Sequence, residues 1–265
     1  MPIIKSIKLL NKNRHILISL IKSDFKNRYL GNHLGVIWAF IQPLIMTLVY
    51  WFVFTKGFRS TPISNAPFLL WLLVGLVPWF LISDAIISGA SAIIAQSFLV
   101  KKIVFEVKLL PLVKIGSAVL VNLAFWTILF ICLLAYGYYP GWNWLYIIYY
   151  LFCTICLVSG ASLLLSSITV FMLDVGQFVS IFIQIMFWAT PIFWNQDLMP
   201  DHLTWVIKLN PFAYIIGGLR DALIYNLPFW NNYGLTVYFW VFTISLFYLG
   251  NLVFSRLRPH FADVL

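Results

Sequence analysis

Six apolar stretches, each close to the thickness of a lipid bilayer, occupy about half of this 265-residue chain. They cover residues 33–54, 67–89, 115–136, 145–170, 178–195 and 233–254. A helix needs about 20 mostly apolar residues to cross the hydrocarbon core. In that solvent, backbone polar groups must be paired internally, which favours helices over open strands. The predicted fold class is an all-α integral membrane protein with six transmembrane helices. With 62% hydrophobic and 9% charged residues and a mean hydropathy of +0.94, little polar chain remains for a soluble domain. Residues 1–265 therefore read as a single membrane domain. It has an arm over about 1–32, a six-helix region over about 33–255 and a tail over about 256–265.

The charges are sorted. With the N-terminus in the cytoplasm, Lys5, Lys8, Lys12, Arg14, Lys22, Lys26 and Arg28 lie inside. Lys101, Lys102, Lys108 and Lys114 of the second connection join them, as do Arg256 and Arg258. Only Lys56, Arg59, Lys208 and Arg220 fall on the other side. The positive-inside rule selects this orientation, with both termini cytoplasmic. Anionic lipid headgroups account for the basic face and the net charge of +9, so a nucleic-acid partner is not implied. The N-terminal segment is too polar for a cleavable signal peptide.

The arm before the first stretch places Ile18, Ile21, Phe25 and Tyr29 at helical spacing, with Ser19, Lys22, Ser23, Lys26 and Asn27 on other faces. It is predicted to be an amphipathic helix in the headgroup plane, as a membrane anchor or a platform for a cytoplasmic partner. Pro43, Pro78 and Pro191 are expected to bend the first, second and fifth spans. Asp84 is the one carboxylate well inside a stretch. A proton relay would need further buried ionisable groups, which the spans lack, so Asp84 reads as a helix-end or interface residue. Residues 97–112 form the one concentrated charged connection and suit a short helix across the cytoplasmic face. Pro111 then falls in the first turn of the third span. Residues 196–232 contain an apolar run too short to cross, which suits a re-entrant segment where Arg220 and Asp221 cap or pair.

Soluble catalytic chemistry has no signature here. The chain has no phosphate-binding G-x-x-x-x-G-K-[ST] loop and no G-x-S-x-G elbow. His15, His33, His202 and His260 are scattered, and Cys132, Cys153 and Cys156 read as packing residues. No acidic pair suits glycosidic chemistry. No cofactor or metal site is expected on the chain. Aromatic residues, by contrast, are 18% of the sequence. Interfacial belts use many of them, while others could present rings to the apolar C–H faces of a glycan. Trp51, Trp79, Phe187, Trp188 and Trp194 are the candidates for a channel wall.

Five short motifs occur in order along nearly the whole chain. The first is Arg28-Tyr29-Leu30-Gly31, followed by Leu34-Gly35-Val36-Ile37-Trp38-Ala39 and Pro43-Leu44. Next come Gly75-Leu76-Val77-Pro78-Trp79, and Leu99-Val100-Lys101-Lys102-Ile103 with Phe105 and Leu110-Pro111-Leu112. The last two are Phe187-Trp188-Ala189-Thr190-Pro191-Ile192, and Leu209-Asn210-Pro211-Phe212 with Arg220. This series resembles the permease subunits of polysaccharide-exporting ABC transporters of the type-two export family. The family includes Wzm-like O-antigen, KpsM-like capsule and TarG-like teichoic acid permeases. Two departures stand out: the family's Phe-Pro-x-Glu appears as Phe105-Glu106-Val107-Lys108, and its Arg-Asp as Leu173-Asp174.

The resemblance implies a homodimer of six-helix subunits in the bacterial cytoplasmic (inner) membrane, with a channel for a lipid-linked polysaccharide between them. Two copies of a separate ABC ATPase would bind below and hold the ATP and Mg. The arm would be the interface helix, through Lys22, Phe25, Lys26, Arg28 and Tyr29. The connection with Ser97, Lys101, Lys102, Phe105, Glu106 and Lys108 would be the cytoplasmic coupling helix. Asn210, Pro211, Tyr214 and Arg220 would belong to short re-entrant outer helices before the last span. Two other readings remain open from the residues. One is a related ABC permease for a drug, ion or lipid. The other is a membrane-embedded glycan-modifying enzyme, which would need no ATPase partner.

Overall fold

The computed structural model describes residues 13–29, 35–57, 66–101, 105–196 and 199–265. The readings at Lys5, Lys8, Lys12, Leu30, Gly31, His33, Leu34, Arg59, Lys102 and Ile103 lie outside the described residues. The described chain is helical, with nine helices labelled here: α1 (Arg14–Tyr29), α2 (Trp38–Phe52), α3 (Phe68–Ala90), α4 (Leu109–Ala135), α5 (Tyr146–Thr169), α6 (Asp174–Ala189), α7 (Thr204–Leu209), α8 (Pro211–Leu223) and α9 (Tyr233–Leu257). Shorter turns of helix join or follow them.

Among the described residues, four helices are long and apolar enough to cross a membrane: α3, α4, and the runs Trp142–Thr169 and Phe229–Val264 that contain α5 and α9. The helices in the first and fifth stretches are shorter, with 15 residues in α2 and 16 in α6. The physical causes are local. The backbone widens over Val53–Gly57 after α2. The expected bend at Pro191 is instead a helix end: α6 stops at Ala189 and Thr190 turns extended, with φ −93° and ψ 137°. Proline disfavours helical backbone at the preceding residue and supplies no N–H of its own. Pro78 behaves differently, because α3 runs through it. There the Asn122 side chain of α4 donates to the Val77 carbonyl at 3.0 Å and braces the proline-containing turn.

α3 is the central element, enclosed by α4, α5, α6 and α8. Its hydrophobic faces merge with those of α4, α5 and α8 in one core. A second cluster closes the end of the bundle that carries the chain's terminal segments, and joins Ala92, Ile93, Val107, Leu110, Leu163, Val170, Phe254 and Phe261. Lipid offers apolar side chains no hydrophobic advantage in leaving it, so close approach through small residues has to supply packing energy. The α5–α9 crossing shows this. A Cβ on Gly250 would lie 2.7 Å from the Gly160 carbonyl, and one on Gly160 would lie 2.9 Å from the Phe247 nitrogen. The segment read as a tail folds back: Phe261 is fully buried, its ring 5.5 Å from that of Phe254.

Candidate functional site

At the terminal end, α1 docks along α4. Ile21 packs against Gly116, where the missing side chain leaves room for it. The most buried residue of α1 is not one of the apolar set that suggested its amphipathic face. It is Asp24, 7% exposed. Lys114 of α4 donates to Asp24 Oδ1 at 2.5 Å. Arg28 Nε lies 3.4 Å from Asp24 Oδ2, within ion-pair range although that oxygen receives no hydrogen bond. Arg28 Nη1 also donates to Asp84 Oδ2 of α3 at 2.7 Å. Two acids and two bases from three helices thus form one alternating network. Such a network resists sliding of α1 better than apolar contact does, because each displaced charge loses a partner. It also gives Asp84 its place, at an interface and neutralised by the arm. The sequence reading missed Asp24 and Lys114. The one local signal was the i,i+4 spacing of Asp24 and Arg28.

The other arm residues divide by face. Lys22 and Lys26 are exposed, Phe25 is half-buried, and the Tyr29 side chain lies outside the described residues. In the second connection the described helix is a single turn, Ser97–Val100, followed by an exposed Lys101. Phe105 packs on the terminal-end cluster. Glu106 pairs with Arg258 of the C-terminal segment at 3.4 Å. Lys108 donates to Asn251 at 3.2 Å and sits 5.5 Å over the Phe254 ring. The connection is therefore tied mainly to the end of α9 and the segment beyond it.

At the opposite end, α7 and α8 follow one another across the extended Asn210. Asn210 starts α8: its side-chain oxygen accepts from the Phe212 N–H at 3.0 Å, and Pro211 follows at the first helical position. The Asn210 amide also donates to Thr190 at 2.9 Å, joining the start of α8 to the end of α6. Tyr214 donates to Thr236 of α9 and shares a hydrogen bond with Tyr149 of α5, each at 3.0 Å.

Arg220 is the hub of this end and is 5% exposed. Its guanidinium donates to the carbonyls of Pro191 at 2.5 Å and Ile192 at 2.6 Å. It also lies 3.3 Å from the Trp71 ring centroid and donates at long range, 3.4 Å, to the Trp71 carbonyl. Breaking α6 at Thr190 left those loop carbonyls without helical partners, and Arg220 satisfies them. Burial pulls its pKa down to about 9, with Tyr225 and Asp221 opposing the shift, so it stays cationic at neutral pH. Gly75 makes the arrangement possible, since a Cβ there would lie 2.7 Å from Arg220 Nη2. The glycine and the arginine of two separate sequence motifs are thus one structural unit. Asp221 does not pair with Arg220. Burial raises its pKa, and the neighbouring guanidinium partly opposes this.

The candidate channel aromatics separate clearly. Trp79 is 4% exposed and packed 5.7 Å from both Phe187 and Phe212, so it lies in the core of the chain. The reason is its position on α3, which neighbouring helices surround. Trp51 and Phe187 are half-buried. Trp188 is exposed. Trp194 is half-buried, its indole N–H donating to the Trp188 carbonyl at 3.1 Å. Exposed Phe178, Ile181, Phe182, Ile185 and Trp188 give α6 a broad uncovered apolar face, and Ile45, Leu48, Val49 and Phe52 do the same on α2. Among the described residues no group of His, Cys, Asp and Glu is gathered to hold a metal.

A family model described as ABC-2 type transporter matches residues 16–224. Two O-antigen export system permease proteins RfbA of Klebsiella pneumoniae are 30% and 28% identical to the chain over 251 residues, covering 94% of it and 95% of each relative. A protein of the same name from Myxococcus xanthus is 29% identical over 229 residues, covering 84% of the chain and 85% of that relative.

Proposed function

Because this chain belongs to the ABC-2 type transporter family, we propose that it is the membrane-spanning subunit of an exporter for a lipid-linked polysaccharide, driven by ATP hydrolysis on a separate subunit. The observation that carries this reading is the near end-to-end match to O-antigen export permeases. The chain works as a homodimer in the bacterial inner membrane, with both termini cytoplasmic. α2 and α6, shorter than the other spans, complete a set of six. Their uncovered apolar faces suit a partner permease, which would place Trp51, Phe187 and Trp188 near the glycan path. A two-fold dimer builds such a path from one gene product.

In this mechanism the ATPase pair closes on ATP and pushes on α1 and on the connection around Ser97, Lys101, Lys102, Phe105, Glu106 and Lys108. The Asp24–Lys114 and Arg28–Asp84 pairs pass the displacement from α1 to α4 and α3. The Glu106–Arg258 and Lys108–Asn251 contacts pass it to α9. The two subunits part, and the glycan advances between them. Directional transport requires ATP to bind the two conformations with different affinity.

The test is reconstitution of the permease with its cognate ATPase in vesicles holding lipid-linked glycan, scored by lectin access to transported chains. ATP-dependent transport is expected. Lys101→Ala, Lys102→Ala and Glu106→Ala together should leave ATP hydrolysis running without transport. If the wild-type pair hydrolyses ATP yet moves no glycan, the export reading is wrong. If the triple variant transports normally, only the coupling assignment fails.

A further inference from the structure

A cavity of about 280 Å³ opens at the end opposite the chain termini, between α5, α7, α8, the connection from Leu227 to Asn232 and Leu235 of α9. Its walls combine aromatic rings with polar side chains, the cation Lys208 among them. Tyr150, Tyr214 and Phe229 supply the rings, and Asp221 and Asn231 supply acceptors and donors. We propose that this cavity is a binding site for one neutral pyranose unit of a glycan, on the face opposite the chain termini. The proposal rests on the glycan-export reading for its biological source, but its chemistry is argued from the cavity alone.

Three observations converge. First, Asp221 is half-buried and, among the described residues, its carboxylate receives no hydrogen bond or ion pair. With no protein partner, a half-buried carboxylate keeps its oxygens for water or for the hydroxyls of a ligand that displaces it. Arg220 does not pair with it. Successive helical residues point about 100° apart, and the guanidinium is committed to Pro191, Ile192 and Trp71 on the other side. A carboxylate can accept from two adjacent hydroxyls at once, and adjacent hydroxyls are what a pyranose presents.

Second, the rings are fixed before any ligand arrives. Tyr214 is held by its hydrogen bonds to Tyr149 and Thr236. Phe229 stacks on Tyr149 with centroids 4.4 Å apart. Tyr150 fits against Gly218, where any side chain would strike its ring. A fixed aromatic surface next to a carboxylate matches both aspects of a sugar ring, its apolar C–H face and its hydroxyl edge.

Third, the space is maintained by an absent side chain. A Cβ on Gly217 would meet nothing within 4 Å. The helix wall facing the cavity is therefore open where almost any other residue would fill it. The volume lies just below the range of about 300–1,000 Å³ usual for drug-sized ligands, which suits a single sugar ring.

The test uses the full chain in lipid nanodiscs and saturation-transfer NMR with the methyl glycosides of glucose, galactose and mannose, and with methyl glucuronoside as the acidic arm. Saturation should reach the ring C–H protons of at least one neutral glycoside, and Asp221→Asn should raise transfer to the glucuronoside relative to the neutral sugars, because it removes the carboxylate while Lys208 of the same lining stays. Asp221→Asn, which keeps the shape, should weaken binding by about tenfold, the scale of 1.4 kcal/mol of lost charge-assisted hydrogen bonding. Gly217→Leu should abolish it by filling the cavity, while Gly217→Ala should retain it. The proposal is overturned if no glycoside shows transfer, if Asp221→Asn leaves the ratio of glucuronoside to neutral-sugar binding unchanged, or if Gly217→Leu binds like the wild type. Export measured on the same wild-type protein separates the two readings. A protein that exports glycan but binds no glycoside sinks this site alone, and one that binds a glycoside in this cavity but exports nothing sinks the export reading alone.

Discussion

Replacing Arg220 with leucine isolates the latch that joins α8 to the broken end of α6. The guanidinium makes two short hydrogen bonds, at 2.5 and 2.6 Å, to loop carbonyls that no helix satisfies. Hydrogen bonds from a charged donor contribute about 1.5–3 kcal/mol each, net of solvation. Together they set a scale of about 3–6 kcal/mol. Leucine regains some apolar burial, at about 25 cal/mol per Å², so the lower half applies. The expected loss is about 3–4 kcal/mol, a fall in the folded-to-unfolded ratio of roughly a hundredfold to a thousandfold. Reversible unfolding in mixed detergent–SDS micelles measures it. Gly75→Ala provides the internal check. In the wild type its Cβ meets Arg220 Nη2 at 2.7 Å and should destabilise. In the Arg220→Leu background the guanidinium contact is gone and only the Ile192 carbonyl at 3.3 Å still crowds the methyl, so alanine should cost clearly less than in the wild type, helped by up to about 1 kcal/mol of helix propensity. The double-mutant cycle should therefore show a coupling of at least about 1 kcal/mol. A loss below about 1 kcal/mol for Arg220→Leu, or additive effects of the two changes, would refute the latch.

Asp24→Ala should leave Lys114 without its buried partner and loosen α1, raising amide hydrogen exchange across Arg14–Tyr29 while that of α5 stays unchanged. Gly250→Val should force α9 away from α5, because even its Cβ would lie 2.7 Å from the Gly160 carbonyl. A cost above about 2 kcal/mol is expected from overpacking, seen as reduced thermal stability in detergent. The raised pKa of Asp221 also has a definite sign. Between its ordinary value of 3.8 and its folded value, the native state holds a proton that the unfolded state has released. Stability contributed by this group should fall as pH rises through that window, and Asp221→Asn should remove this part of the slope in pH-dependent unfolding.

Hydropathy alone located the apolar stretches, because crossing a bilayer imposes a length and a composition that few other folds need. The positions of α3, α4, α5 and α9 agree with stretches read directly from the residues, and Tyr233 opens α9 as expected. The amphipathic arm was also legible, but its anchoring was not: its apolar spacing pointed away from Asp24, the residue that packs most deeply. Pro191 signalled a disturbance in the fifth stretch without telling a bend from a stop. That depended on whether something could pair the carbonyls released there, and the something was Arg220, far along the chain.

The sequence by itself determined the solvent, the helical class and the family motifs. Only the tertiary structure decided which faces of the helices meet. Trp79 and Trp188 look alike to a hydropathy scale, yet one is sealed in the core and the other is exposed. The reason is that lipid-facing and protein-facing surfaces are equally apolar, so the contrast that marks a core in water is missing. What distinguishes them is space for a particular neighbour, as Gly75 leaves for Arg220 and Gly218 for Tyr150, and that information exists only between segments distant in the chain.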